Sequence, residues 1–402
     1  MIYLDAAATT PVRQEVLDVI IPLLTSDYGN PSSTHSMGQN AARALDYARE
    51  TAANALGVRT GDIVFTSGGT ESNNLALKGL ALANPRGRHL VISAIEHPSV
   101  AEPAAYLARH HGFTLDIAPV DADGVLDLPA FTALLRPDTT LVSVMSVNNE
   151  VGTIQPIAQV AAAARAVGAL VHTDAVQAAG WLDAAELAGH VDALSISGHK
   201  LGGLKGAGLL MVRGKLPVEP LVHGGGQERE RRSGTENVAG AVSTATALAM
   251  AARANAAETA SGYGEYLAGT VLRGLNGTAD ATKNAATKNA GTESDGSAQP
   301  RIRATLTGHR TERVPGIVSF TFPETGGETV LLELERRGVI ASSGSACAAG
   351  STEPSAVLLA MGRSADEAHT AVRLSFTRTV KESEIATAAR AVVAAVKAIA
   401  GE

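Results

Sequence analysis

The sequence predicts an α/β fold: a large unit built on a mainly parallel sheet with helices on both faces, joined to a smaller α+β unit. Three features carry that expectation. From about residue 12 to 215, short β-rich apolar runs alternate with helical patterns, as buried parallel strands joined by crossover helices do. Polar, glycine-rich clusters follow strand after strand, at the ends where open α/β sheets bind ligands. With 402 residues the chain is too long for one small domain, and its second half changes character.

Taken in order, segments 62–66 (DIVFT), 89–93 (HLVIS), 113–117, 141–145, 170–173, 193–197 and 208–212 read as strands. Helical patterns cover 12–24, 38–56, 72–82, 98–111 and 157–167. The first is expected to open with Thr10 as N-cap and Pro11 at the first helical position, with Val16, Val19, Ile20 and Leu23 on one face. Residues 241–275 are alanine-rich and helical in pattern. Segment 276–313 then turns to Thr, Asn, Lys, Gly and Ser, and repeats ATKNA at 281–285 and 286–290. Such a composition buries too little apolar surface to offset its ordering entropy, so a mobile surface insertion is expected. Strands at 317–322 and 372–376 and helices at 329–337 and 382–399 complete the chain. The expected division is a large unit over 12–255 and a small one over 1–11 and 256–402.

Composition narrows the function. Apolar residues at 45% suffice for a sizeable core, but aromatics at 3% leave the packing to Ala, Val and Leu. A net charge of −7, from 40 acidic and 33 basic residues, lacks the basic footprint of a nucleic-acid binder. No run approaches the roughly 18 apolar residues of a membrane span. Residues 1–11 hold Asp5 and no basic stretch before an apolar run, so no secretory leader is expected, and the chain reads as cytoplasmic. The one cysteine, Cys347, can make no intrachain disulfide and cannot alone build a thiolate metal site; no metal site is expected.

Several clusters could carry chemistry. At 192–206 a strand ends in Ser197-Gly198-His199-Lys200 and meets Gly202, Gly203 and Gly206. A lysine there is either a surface residue or a desolvated amine able to form a Schiff base. Asp174, in His172-Thr173-Asp174-Ala175-Val176-Gln177, is either the N-cap of a following helix or the partner of a protonated heterocyclic nitrogen. Residues 65–74 (FTSGGTESNN) offer free backbone N–H groups at a helix start, an anion site, or form a plain strand–helix turn. They lack the Walker ending and the three-glycine fingerprint, so neither ATP nor NAD is indicated. Glu96-His97-Pro98 and Val147-Asn148-Asn149-Glu150 follow strands, and 223–235 is a further polar cluster; each alone reads as a solvated loop, whereas polar groups gathered after successive strands point to one shared site. Cys347 is either a small buried hydrophobe or an accessible thiol; the Gly, Ser and Ala around it from 342 to 352 favour the second.

Together these residues resemble the pyridoxal-phosphate cysteine desulfurases of the NifS/IscS type, within the class V aminotransferase group. The matching stretches, from Tyr3 to about Arg378 outside 276–313, are AATTP at 7–11, NPSSTH at 30–35, FTSGGTESNN at 65–74, EH at 96–97 and MSVNNEVGTIQP at 145–156. They continue with HTDAVQ at 172–177, SGHK at 197–200, GGGQE at 224–228, RSGT at 232–235, SSGSAC at 342–347 and VRLSF at 372–376. The resemblance implies PLP-transferase fold type I, pyridoxal 5′-phosphate as cofactor, and a homodimer that converts L-cysteine to L-alanine. It implies that Lys200 holds the cofactor and moves the substrate α-proton, that Asp174 pairs with the ring nitrogen, that Gln177 bonds the ring hydroxyl and that His97 stacks on the ring. Gly69, Thr70, Ser197 and His199 would hold the phosphate, joined by Thr235 from the partner subunit. Asn149 and Arg373 would orient the substrate carboxylate, and Cys347 would take the sulfur as a persulfide for an acceptor protein, for iron–sulfur cluster assembly or tRNA thiolation. Two departures stand out: Ala6 replaces the family's usual Asn, and Leu204 replaces a proline in the loop after the lysine. Activity on selenocysteine and a catalytically silent scaffold are the competing readings.

Overall fold

The computed structural model describes residues 1–84, 86–214, 216–255, 262–277, 303–344 and 353–401. The first elements are β1 (Ile2–Tyr3), α1 (Gln14–Thr25), α2 (Ser36–Ala55), β2 (Ile63–Thr66), α3 (Gly69–Asn74), α4 (Leu80–Ala83), β3 (His89–Ser93), α5 (Pro98–His111) and β4 (Thr114–Ala118). Then come α6 (Leu128–Leu134), β5 (Thr139–Ser143), α7 (Ile157–Ala166), β6 (Leu170–Asp174), α8 (Ala184–His190), β7 (Ala193–Ser197), β8 (Gly208–Val212) and α9 (Val238–Asn255). The rest is α10 (Tyr263–Asn276), β9 (Thr305–Thr307), β10 (Ile317–Thr321), α11 (Gly327–Arg336), β11 (Val339–Ile340), α12 (Ala356–Ala360), α13 (Ala365–Ala368), β12 (Ala371–Ser375) and α14 (Glu382–Ala400).

Among the described residues, seven strands form the central sheet in the order β2-β8-β7-β6-β5-β3-β4. All run parallel except β8, which is antiparallel to both β2 and β7. Successive strand residues feed opposite faces. Ile63, Val91, Val142 and Leu209 enter one core, while Val64, Leu90, Leu141 and Leu210 enter another. Both faces are therefore covered by helices, and β3, β5 and β7 are buried along their whole length. Alanine does much of this packing: Ala41, Ala48 and Ala52 of α2 are buried in close contact with α9. The chain leaves β3 for the edge strand β4 and returns to place β5 on the other side of β3. That reversal opens a crevice at the carboxyl ends of β3 and β5.

A second core gathers Leu4, Leu267, Phe320, Phe322, Leu374 and Val392. It lies between the antiparallel sheet β9-β10-β12, the short parallel pair β1–β11, and helices α10, α11 and α14. Trp181 touches both large cores, edge-on to Phe376 at 6.1 Å between ring centroids. No helix among the described residues is long and apolar enough to cross a membrane.

Several expectations are corrected. Thr10 caps no helix: α1 begins at Gln14, and the Thr10 hydroxyl and N–H both donate to the His199 carbonyl, at 2.7 and 3.0 Å. The 72–82 helix runs longer, from Gly69 to Ala83, with a π turn at Leu75–Gly79. The 241–275 pattern belongs to two helices, α9 and α10. Segment 276–313, expected to be a mobile insertion, holds ordered chain at 276–277 and 303–313. Asn276 ends α10 and pairs twice with the Ala304 backbone, at 2.9 Å each way, and β9 follows at once. The ATKNA repeat lies outside the described residues.

Candidate active site

The carboxyl ends of β3, β5, β6 and β7 open into a cavity of about 710 Å³. Ten residues singled out from the sequence line it: Gly69, Thr70, His97, Asn149, Asp174, Gln177, Ser197, His199, Lys200 and Arg373. They come from six separate stretches of chain; five follow a strand or open a helix, and Arg373 lies within β12.

On one side lies an anion cradle. β2 ends at Thr66, and Gly68 takes φ of 147°, a conformation a side chain resists, before α3 starts at Gly69. A Cβ on Gly69 would stand 2.9 Å from the Val176 side chain and 3.4 Å from Ser197, so only glycine lets the helix start approach β7 this closely. The first N–H groups of α3 and the Ser197 hydroxyl thus converge. Glu71 supports the turn by accepting from the Ser67 N–H at 2.8 Å and from Arg232 at 2.9 Å. Burial pushes its carboxyl up, but these bonds outweigh that and hold its pKa below the ordinary value.

Across the floor runs a hydrogen-bonded line of side chains. Asp174 is buried; Oδ1 accepts from the Val176 N–H at 2.9 Å, and Oδ2 accepts from Asn73 Nδ2 at 2.7 Å. It caps no helix, since α8 begins only at Ala184 beneath Asp183. Asn73 also donates to Ser99 Oγ at 2.8 Å, and Ser99 Oγ lies 2.7 Å from His97 Nδ1. Nδ1 also accepts the Ser99 N–H at 3.1 Å, which places the imidazole proton on Nε2. Asn73 and Ser99 join this line without having been assigned a role. The one signal for Asn73 is its place in the first helical turns after the cradle, within reach of both strand ends.

Lys200 closes the short 3-10 turn after β7, and its Nζ donates to the carbonyls of Ala7 and Ala8, the latter at 2.8 Å. Gln177 Nε2 donates to the same Ala7 carbonyl at 2.9 Å. Burial, with the charges of Lys200 and Lys205, pushes the His199 pKa down to about 4, so its ring is neutral at physiological pH; its Nδ1 lies 3.1 Å from Thr9 Oγ1. The 7–10 stretch is thus a strap beneath the site.

Arg373, on β12, is 1% exposed and forms the far wall. Its Nη1 donates to the carbonyls of Asn149 and Gly344 at 3.0 and 3.1 Å, and its Nη2 to Asp5 at 2.8 Å. Its Nε is buried with no partner among the described residues. Beside it, burial raises the Glu150 pKa, and Glu150 Oε2 accepts from Ser355 Oγ at 2.6 Å. Cys347 lies outside the described residues; Gly344 and Glu353, flanking its segment, both line the cavity. Thr235 is not brought to this cavity within the chain. It lines a separate one of about 140 Å³ with Ser67 and Arg232. No cluster of three or more metal-ligating side chains occurs among the described residues.

Fold and cavity define an α/β enzyme in which a lysine, an aspartate and an anion cradle converge at the switch point of a mainly parallel sheet. The pattern of the class-V aminotransferases matches residues 2–387. The chain is 39% identical over 377 residues to cysteine desulfurase IscS of Dictyoglomus turgidum, covering 93% of this chain and 89% of that protein. It is 38% identical to cysteine desulfurase IscS of Methanosarcina thermophila, covering 94% and 87%. Among solved structures, a NifS-like protein superposes with a TM-score of 0.83 at 34% identity, covering 98% of both chains. SspA in complex with cysteine superposes at 0.76 with 32% identity, covering 94% of this chain and 99% of that one. The chain belongs to the class-V aminotransferase family, in its NifS/IscS-type branch.

Proposed function

We propose that the chain is a pyridoxal 5′-phosphate-dependent cysteine desulfurase, which converts L-cysteine to L-alanine and hands on the sulfur from a persulfide on Cys347. The observation that carries this reading is the convergence of Lys200, Asp174 and the Gly69 cradle on one cavity. The residues fit the cofactor. The cradle suits a phosphate, the buried Asp174 keeps a carboxylate oxygen bonded to a neutral amide, and the Asn73 Oδ1 and Arg373 Nε atoms remain unsatisfied among the described residues.

Gly69, Thr70, Ser197 and His199 hold the phosphate; a neutral His199 serves there as a hydrogen-bonding group rather than a counter-charge. Thr235 joins them from the partner subunit of a homodimer. Asp174 would pair with the ring nitrogen and keep it protonated, Gln177 would bond the ring hydroxyl, and His97, its tautomer set by Ser99, would cover the ring. Bound there, pyridoxal 5′-phosphate supplies an electron sink for bond breaking at the substrate α-carbon. Lys200 would anchor the cofactor, and its amine would remove and return the substrate α-proton. The Arg373 guanidinium, with Nε still to be satisfied, and the Asn149 side chain orient the substrate carboxylate. The Cys347 thiolate attacks the substrate sulfur; the S–S bond forms as the carbon–sulfur bond breaks. Since the chain has one cysteine, no second thiol can resolve that persulfide internally. Its sulfur passes to a reductant or to an acceptor protein of iron–sulfur cluster assembly or tRNA thiolation, in the cytoplasm.

The test pairs two variants. Cys347→Ser should keep the cofactor's visible absorption and release no sulfide from cysteine, whereas Lys200→Ala should lose that absorption band. Normal sulfide release by Cys347→Ser overturns the persulfide mechanism.

A further inference from the structure

The two walls of the cavity that carry His97 and Asn149 are cross-braced behind the site. Glu96 Oε1 accepts the Met145 N–H at 2.6 Å. Asn148 Nδ2 returns the link by donating to the Ile95 carbonyl at 3.1 Å. Glu96 is 8% exposed, and its Oε2 is buried with no partner among the described residues. A carboxylate so placed is costly: one oxygen has a single N–H and the other has nothing. Burial pushes the Glu96 carboxyl well above its ordinary pKa, the Met145 N–H pulls it partly back, and the charge of Asp174 pushes it up again. Because Oε1 is committed as an acceptor, the proton belongs on Oε2.

We propose that Glu96 is a positioning residue: as a neutral carboxylic acid it braces the His97 wall of the cavity against the Met145–Asn149 turn. The ionisable groups sharing the cavity are Asp174 from β6, His199 and Lys200 after β7, Glu102 from α5, Glu150 from the turn after β5, Glu353 ahead of α12, Arg373 from β12, and the adjacent residue His97. Of these, Asp174 is the one whose charge bears on Glu96. A neutral Glu96 places no second charge beside Asp174, whereas an ionised Glu96 is repelled by it.

The sign of the pH effect follows from linkage. Glu96 is protonated when folded and ionises near pH 4.3 when unfolded (roughly the free glutamate value). Folding retains a proton between that pH and the raised folded value, so its contribution to stability falls as pH rises through this window. Glu96→Gln keeps a carbonyl for Met145 and cannot ionise. Unfolding of cofactor-free protein is measured at a series of pH values rising from about 4.3, the unfolded carboxyl's value, where the linkage begins; the Tm of Glu96→Gln should rise progressively above that of the wild type as pH rises. With pyridoxal 5′-phosphate bound, Glu96→Gln should keep the KM for L-cysteine within about twofold. Glu96→Ala, which orphans the Met145 N–H, should raise it roughly tenfold, with kcat moving less. The role of Glu96 toward L-cysteine rests on the desulfurase reading, whereas the unfolding measurement does not. A Tm difference constant with pH overturns the proposal, as does a Glu96→Gln variant as impaired in KM as Glu96→Ala. If Glu96→Ala does not fold, the Tm comparison of Glu96→Gln with wild type decides alone.

Discussion

Asn73 is the hinge of the floor network, and removing it isolates Asp174 from His97. Its amide spends both protons there, on Asp174 Oδ2 at 2.7 Å and on Ser99 Oγ at 2.8 Å. Among the described residues, Asn73→Ala leaves the Asp174 carboxylate held by the Val176 N–H alone, free to turn away from the ring nitrogen it is proposed to meet. A hydrogen bond to a charged group contributes about 1.5–3 kcal/mol. At about 1.4 kcal/mol per decade, that is a loss of roughly ten- to a hundred-fold in affinity for pyridoxal 5′-phosphate. The assay is titration of cofactor-free protein with pyridoxal 5′-phosphate, followed by visible absorbance. Ser99→Ala is the control: it cuts the branch to His97 and leaves the Asn73–Asp174 bond intact, so its loss should be the smaller of the two. Affinity within twofold of wild type for Asn73→Ala would refute the claim that this amide orients Asp174. So would a Ser99→Ala loss equal to that of Asn73→Ala.

Two further outcomes concern the scaffold. Arg49 and Glu228 form a buried two-pronged pair at 2.6 and 2.8 Å, and Glu228 also accepts the Phe65 N–H at 3.0 Å, just ahead of the cradle. Arg49→Met strands that carboxylate and should cost about 3–5 kcal/mol. At about 2.1 cal/mol/K per residue, over 402 residues, this lowers the Tm by about 4–6 °C. Calorimetry should also show Arg49→Met/Glu228→Leu recovering most of the loss; a double variant no better than the single one contradicts the buried-pair account. Deleting residues 280–300 should leave sulfide release within roughly a few-fold of wild type, because Asn276 and Ala304 already join the ends of that segment. A collapse in activity or solubility would assign the segment a structural or docking role.

Much of the site was legible in the sequence because its groups, apart from Arg373 in the middle of β12, sit where a strand stops. Ser197-Gly198-His199-Lys200, His172-Thr173-Asp174 and Glu96-His97 all follow apolar runs, and a parallel sheet collects such ends on one edge. What escaped was set by partners far away in the chain. Thr10 before Pro11 has the form of a helix cap, yet it is bonded to His199, 189 residues on. Asp174 looked equally like a cap, and only the absence of a helix before Ala184 removes that alternative.

The clearest case is the stretch from 303 to 313, whose composition matches that of the segment before it. Its strand Thr305–Thr307 has one apolar residue, Leu306, and exists because β10 offers it an edge to pair with. Gly308 then runs so close to the chain near Val151 that a Cβ would lie 2.6 Å from that residue's carbonyl. Arg313 closes the docking: Nη2 donates to the carbonyls of Ile317 at 2.6 Å and Val151 at 3.2 Å. Burial lowers its pKa to about 10, which still leaves it charged at neutral pH. A buried guanidinium that stays charged needs carbonyls to receive it, and Val151 is 162 residues away. Composition reports what a segment can bury by itself; here the ordering comes from what the turn after β5 lends it. The same turn carries Asn149 and Glu150, so the 303–313 stretch supports that wall of the cavity from behind.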